Sequence, residues 1–511
     1  MYRLIFNSIK NRIPKISPTE LIALESGNVS IDRDILNGKI EYPDKKKTIN
    51  KFPKDELERL LDNFKDKPLF PDNKNFIKDL AKKKYFSFLI DEKYGGIRLS
   101  VNELSNILTK ITTVDPALGV VTMVPNSLGP GELLTLYGTD QQRNNYLPKL
   151  ANGELIPCFG LTGPNNGSDA TGNIDEGYVF KEDGKIKVKI TLNKRYITLA
   201  PVSNLMGIAF NLKDPDNLLN KSGITLALVE RGHDGLIQET YHNPLDVGFP
   251  NGTIKGTIVL ELDQIIGGKN NIGNGWKMLM ECLSAGRGIS LPATANASSK
   301  VASYGMFNYI KIRDQFNMPL KNMEAIKEKF NNMVYNTWMI QSSVDMTNDI
   351  LDAGNSPAVI SAIMKQQTTE RGRSVISDAM DIHGGAAICV GHNNFLEKYY
   401  KSVPIGITVE GSNTLTRSLI IFAQGLNKSH PHIYPLLKSI LANDLDTFKE
   451  NFNNIISHSL NLYFKTFGFS EDLEQQIINF AALTNFVALK GGAIKREQML
   501  SGDMADIFGN L

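Results

Sequence analysis

Apolar residues recur at three- and four-residue intervals from Lys54 to about Leu150, with Leu57, Leu60, Leu61 and Phe64 in one stretch and Leu104, Leu108 and Ile111 in another. That is the period of an amphipathic helix. Gly95 and Gly96, then Pro125, Gly129, Pro130 and Gly131, mark the breaks. The period then changes. Residues 185–192 read KIKVKITL and alternate strictly, which places Ile186, Val188, Ile190 and Leu192 on one face of a half-buried strand. Further short apolar runs at 205–210, 224–229 and 257–262 are separated by Pro, Gly, Asn and Asp. Helical spacing returns at 278–283, 301–316, 325–350, 357–382 and 414–426. Helices, then a sheet, then more helices predict an α+β fold. Its expected parts are an arm (1–52), an N-terminal helical domain (53–157), a middle β domain of sandwich or barrel type (158–275), a C-terminal helical bundle (276–426) and a helical extension (427–511).

Composition narrows the class. A chain of 511 residues, 41% hydrophobic, is too long for one ordinary core. Its net charge of +2 gives no field that argues for nucleic acid, and residues 427–511 carry seven Lys/Arg against nine Asp/Glu. Cys158, Cys282 and Cys389 are far apart and form no ligand spacing, so no metal site is expected and a reducing, cytoplasmic compartment fits. No apolar run reaches membrane-span length. Arg3, Lys10, Arg12 and Lys15 precede any acid and alternate with Leu4, Ile5, Phe6, Ile9 and Ile13. The expectation there is a frayed basic terminus, the alternative a membrane-surface or targeting helix, and at most peripheral contact with the inner membrane. Residues 17–75, with Lys45, Lys46 and Lys47, read as a polar arm with short helices.

Candidate chemistry centres on residues 405–417, IGITVEGSNTLTR. The run 405–409 is short and β-branched, and the run from Asn413 has helical spacing with Ser412 or Asn413 as N-cap, so Glu410 is expected at a strand-like to helix junction. A poorly solvated carboxylate there holds its proton more readily and suits a general base; an ordinary acid near a helix start reads the same way. Residues 161–173, LTGPNNGSDATGN, concentrate glycines and hydroxyls as a ligand cradle does, or as a mobile loop does. Residues 383–391, HGGAAICVG, repeat the glycine theme but also fit a helix C-cap. RDQF at 313–316 closes a helix with a cation and an aromatic, and Tyr196, Ile197 and Thr198 end the clearest strand.

Taken together, YGTDQQRNNYLPKLANGE, LTGPNNGSD, KRYITLAP, RDQF and VEGSNTLTR resemble the acyl-CoA dehydrogenase family over about residues 50–511. VPNSLGPGELL, GWKMLMECLSAGRGISLP and DAMDIHGG further resemble its long bacterial subfamily of fatty-acid β-oxidation, here shortened at both ends. The resemblance implies FAD-dependent α,β-dehydrogenation of fatty acyl-CoA, an electron-transfer flavoprotein as acceptor, and a homodimer or homotetramer. It implies Glu410 as the base, with its backbone N-H helping to hold the enolate oxygen. It implies flavin contacts from Phe159, Leu161, Thr162, Gly167, Ser168, Tyr196 and Thr198, and cofactor contacts across subunits from Arg313, Gln315 and Phe316. Asp381, Gly384 and Gly385 are implied on the pyrophosphate and adenosine side, and Ser412 and Thr414 at the phosphates. Ser168, Arg287 and Gly411 are implied near the substrate. Some family members carry the base one residue before the arginine that Arg287 matches; here that residue is Gly286. Ala386 and Ala387 depart from the family's usual glycine loop. An acyl-CoA oxidase and a non-catalytic degraded relative remain the alternatives.

Overall fold

The computed structural model describes residues 2–12, 16–45, 50–64, 68–127, 129–238, 241–468 and 472–511, with backbone only at 11, 12 and 283–285. Ile13, Lys15, Lys46 and Lys47 lie outside the described residues. The contacts divide the chain into two units, one of residues 47–348 and 368–410, the other of 1–46, 349–367 and 411–511.

In the first unit the N-terminal helices include Val101–Val114, Pro116–Ser127, Pro130–Tyr137 and Asp140–Ala151. They lead into eight strands, β1 (Pro157–Gly160), β2 (Glu176–Glu182), β3 (Lys185–Thr198), β4 (Leu205–Lys213), β5 (Gly223–Glu230), β6 (Leu236–Ile237), β7 (Tyr241–His242) and β8 (Asn251–Glu261). The sheet runs β1-β4-β2-β3-β8-β6, with β5 on β4 and β7 on β8. The alternation read from 185–192 holds, since Val188, Ile190 and Leu192 are buried. Leu133, Leu134 and Leu147 from the helices, Phe159, Leu205 and Leu226 from the strands, and Met278 and Leu279 beyond them share one core. Each such side chain contributes about 1.5–3 kcal/mol on burial. The fold is therefore an N-terminal helical domain, a middle sheet domain and a C-terminal helical domain.

Three expectations are corrected here. The helical stretches at 278–283 and 301–316 are parts of one 38-residue helix, Gly275–Ile312. Its middle carries small residues buried on all sides, among them Ala293, Ala297 and Ser299, so it shows no apolar stripe to read. The helix also stops before RDQF: only Arg313 caps it, and Asp314–Gln315 pairs antiparallel with Met318–Pro319. The β-branched run at 405–409 is not strand-like, because helix Glu397–Thr408 runs through it and Val409 N-H donates to the Ile405 carbonyl at 2.9 Å. Four apolar residues are too few for period to decide, and packing overrides β propensity.

The second unit corrects a fourth expectation. The basic terminus is not frayed: it forms helix Tyr2–Arg12, whose Phe6 meets Phe448 edge to face at 5.0 Å. Tyr2 Oη and Lys10 Nζ each donate at 2.8 Å, to Asn453 and Asn443. The polar arm is likewise packed, with Leu36 fully buried and Asp32 hydrogen-bonded to Ser429. Lys428, also buried, donates to the carbonyls of Leu24 (3.0 Å), Ser26 and Gly27 (3.3 Å). Lys428→Met leaves those carbonyls without the cation, a loss of about 1–3 kcal/mol. Limited proteolysis should then cut within residues 16–45 at lower temperature than in the parent; an unchanged cleavage profile contradicts this role.

Candidate active site

Glu410 follows helix Glu397–Thr408, which is fixed within its unit by Lys398 Nζ on Asp115 (2.7 Å) and by Tyr399 Oη donating to the Thr113 carbonyl (2.5 Å). The chain then turns through two left-handed residues, Glu410 (φ +53°) and Gly411 (φ +92°). For a non-glycine residue that conformation costs about 1–3 kcal/mol and persists only where the surroundings impose it. Gly411 and Asn413 belong to the other unit, where the buried Lys365 Nζ holds the Gly411 carbonyl and Asn413 Oδ1, each at 2.6 Å. Ser412 occupies the N-cap position, though its side chain makes no capping bond, and a π-helical segment runs from Thr416 to Gln424. Thr414 is exposed, its carbonyl accepting from Ser418.

Arg287 lies within electrostatic range of Glu410. Burial pushes its guanidinium down from the ordinary arginine value and Glu410 opposes the shift. Its Nε is buried with no partner among the described residues. Position 286 has no room for a side chain, since a Cβ there would stand 2.8 Å from the Ser127 side chain and carbonyl. Four residues along the chain from Arg287 and four from Glu410, at Leu291 and Gly406, a cleft opens among Thr112, Val120, Met123, Leu291, Thr294, Ile405 and Gly406. Among the described residues no charged side chain lines it.

The flavin-expected residues fall into two groups. In the first, Phe159 is core, while Leu161 and Thr162 are half-buried and Gly167 and Ser168 exposed. Thr162 and Arg195 exchange two hydrogen bonds of 3.2 Å, which ties the glycine loop to the end of β3. The β3–β8 register shifts between Lys194 and Ile197, and Tyr196 (φ +62°) is 61% exposed. Thr198 accepts from Asn251 Nδ2 at 3.4 Å. In the second group, Arg313, Gln315 and Phe316 are exposed on the hairpin, and Tyr309 stacks edge to face on His383 at 4.7 Å, beside Gly384 and Gly385. Asp381 is held by Lys329 at 2.9 Å.

Sequence reading missed the polar atoms that surround Tyr196 and Thr198. Arg195 Nε, His242 Nε2 and Asn251 Oδ1 are buried and have no partner among the described residues, and the His242 ring lies 5.0 Å from that of Tyr196. Buried polar groups are rarely left unpaired. A flat heteroaromatic ligand with ring nitrogens and carbonyls fits this cluster, and a Cβ at Gly167, Gly384 or Gly385 would meet nothing within 4 Å. The residues present therefore suit a flavin. No sequence signal singled out Arg195, His242 or Asn251.

A helical domain, a sheet domain and a second helical domain, with unpaired buried polar atoms about Tyr196 that suit a flavin, have the architecture of a flavin-dependent acyl-thioester dehydrogenase. Residues 43–154 match the acyl-CoA dehydrogenase N-terminal domain and residues 273–424 its C-terminal domain, together just over half of the chain. The chain is 27% identical to the 3-(aryl)acrylate reductase of Clostridium sporogenes, over 73% of this chain and 96% of that protein. It is 26% identical to a probable acyl-CoA dehydrogenase of Mycobacterium tuberculosis, over 68% of this chain but only 53% of that one, so it spans about half the length of the mycobacterial relative. The crystal structure of an acyl-CoA dehydrogenase complexed with FAD from Bacillus anthracis superposes with a TM-score of 0.72 at 19% identity, covering 98% of this chain and 81% of that one. The chain belongs to the acyl-CoA dehydrogenase family, oxidoreductases acting on CH–CH bonds, and its cofactor is FAD.

A second carboxyl also escaped sequence reading. Burial pushes Glu132, on helix Pro130–Tyr137, up to about 7 from 4.5, and Arg98 opposes the shift. Because the folded value is the higher one, the native state keeps a proton that the unfolded state has released between those pH values. This stabilisation is complete below the unfolded value and is lost as pH rises through the folded one. Glu132→Gln should therefore raise the melting temperature at pH 8 and leave it nearly unchanged at pH 4.5. Equal effects at both pH values contradict the shift.

Proposed function

We propose that the chain oxidises uncharged fatty acyl-CoA thioesters to trans-2-enoyl-CoA, the first step of fatty-acid β-oxidation, with Glu410 as base and an electron-transfer flavoprotein as acceptor. The observation that carries this is Glu410 within electrostatic range of Arg287 and four residues along the chain from a cleft with no charged lining among the described residues, while position 286 is too crowded to hold another base. The strained turn gives the carboxylate a fixed direction, and the α-proton of a thioester placed against it is the proton to be removed. Bound FAD supplies the hydride-accepting chemistry. A cleft without a cation favours a hydrocarbon tail over a dicarboxylic acyl group, whose buried terminal charge would lack a partner. The family relatives support a thioester substrate, and the fit of the 159–198 segments to a flavin supports the redox step.

Glu410→Gln keeps the shape and removes the basic lone pair. Flavin content and the spectral shift on binding an enoyl thioester should survive, while anaerobic flavin bleaching by acyl-CoA slows by about 100- to 10,000-fold. Bleaching within about tenfold of the parent rate, short of that expected range, contradicts the assignment. Hydrogen peroxide formed stoichiometrically with turnover would replace the flavoprotein acceptor with oxygen.

The cleft sets a second expectation. A Cβ at Gly406 meets only Thr369 Cγ2, at 3.6 Å, so a larger side chain grows into free space and not into backbone. Gly406→Leu should lower kcat/KM for the longest accepted acyl chain by at least about tenfold relative to the shortest, since one methylene in a pocket is worth about 10- to 200-fold. Equal losses at both lengths contradict the placement of the tail.

A further inference from the structure

We infer that Lys194 is a positioning residue for the flavin, a buried cation that locks the glycine loop to the displaced end of β3. It is fully buried in the sheet. Its Nζ donates to the Leu161 carbonyl at 3.1 Å and pairs with Asp175 Oδ2 at 3.1 Å. The same carboxylate oxygen accepts Asn193 N-H at 3.0 Å, and the Leu161 carbonyl also accepts Asn166 Nδ2 at 3.1 Å. Lys194 is thus the node at which the segment before the glycine loop, the loop itself and β3 meet.

The stem of Lys194 reaches this node because residue 160 is glycine. A Cβ there would stand 3.2 Å from Lys194 Cγ and 3.1 Å from Ile208 Cδ1, closer than ordinary packing. Lys194 is also the last β3 residue in register with β8, opposite Ile254, before the bulge that turns Tyr196 outward. Lys194 thus holds the Leu161 carbonyl together with Asn166 and anchors the strand at the point where it breaks. The two hydrogen bonds between Thr162 and Arg195 lie directly beyond it. Burial pushes the Lys194 ammonium down from the ordinary lysine value and Asp175 pushes it back, as expected for a cation kept for its geometry. A hydrocarbon at this position would fill the space without directing either segment.

The inference rests on residues 159–168 and 196–198 forming the flavin cradle, so Tyr196→Ala is the control: unchanged FAD affinity there would remove that assignment and not Lys194 alone. The test uses the purified holoenzyme of the parent and of the double variant Lys194→Met, Asp175→Asn, which removes both charges and leaves no unpaired carboxylate. FAD dissociation is followed by flavin fluorescence on dilution, and melting is recorded without FAD. The double variant should melt close to the parent yet bind FAD at least about tenfold more weakly, the loss expected for a hydrogen bond to a charged group. Parent-like FAD affinity in the folded double variant overturns the inference and leaves Lys194–Asp175 a structural ion pair. Should the double variant not fold, Lys194→Met alone takes its place, since it removes the donor to Leu161 and leaves Asp175 accepting from Asn193 N-H. The same loss is expected, and the same parent-like affinity would overturn the inference.

Discussion

An ammonium group taken out of water costs several kcal/mol unless its protons find acceptors, and this chain buries Lys194, Lys365 and Lys428. Each donates to main-chain carbonyls of loops or of a helix end: Leu161 before the glycine loop, Gly411 after the base, and Leu24, Ser26 and Gly27 at and just past the C-terminal end of helix Pro18–Glu25. A loop free to choose among many backbone conformations loses that freedom when its carbonyls must meet a buried cation. The expense of burial thus becomes geometric definition where helices and strands give none. Replacing such a cation with a hydrocarbon of similar volume removes the direction.

That definition matters most around Glu410. A left-handed glutamate followed by a left-handed glycine is a conformation the chain does not adopt unaided. Within the first unit the turn is led by a helix whose hold on Asp115 and Thr113 sets where it ends. Within the second it is followed by the Lys365 bonds. A carboxylate so placed lies within electrostatic range of Arg287, which supports the proposed reading as a base over that of an ordinary acid near a helix start.

Much of the fold was legible because its signals are periodic. Alternation at 185–192 and three- and four-residue spacing through 54–150 follow from one face being wet and the other dry. Where both faces are dry the signal disappears, which is why the middle of helix Gly275–Ile312 went unread and the apolar run before Glu410 looked like a strand. The candidate site is proposed from its motifs, and its supports carry no motif. The two-residue period places Lys194 on the same inward face as Ile190 and Leu192, but nothing in the sequence says that its side chain runs past Gly160. His242 and Asn251 are far from Arg195 in sequence, and the pairing of β8 with the end of β3 and of β7 with β8 brings them near Tyr196 and Thr198.

The central claim is that Glu410 takes the α-proton, and hydrogen exchange at the α-carbon reads that step directly, without turnover. An acyl-CoA analogue whose β-carbon cannot give up hydride is incubated with the holoenzyme in deuterium oxide, and the α-proton signal is followed by NMR. The parent should wash deuterium into the α-position, whereas Glu410→Gln, with its flavin retained, should not do so above the rate in buffer. Exchange at the parent rate in Glu410→Gln would contradict the account, because some other group would then be the base.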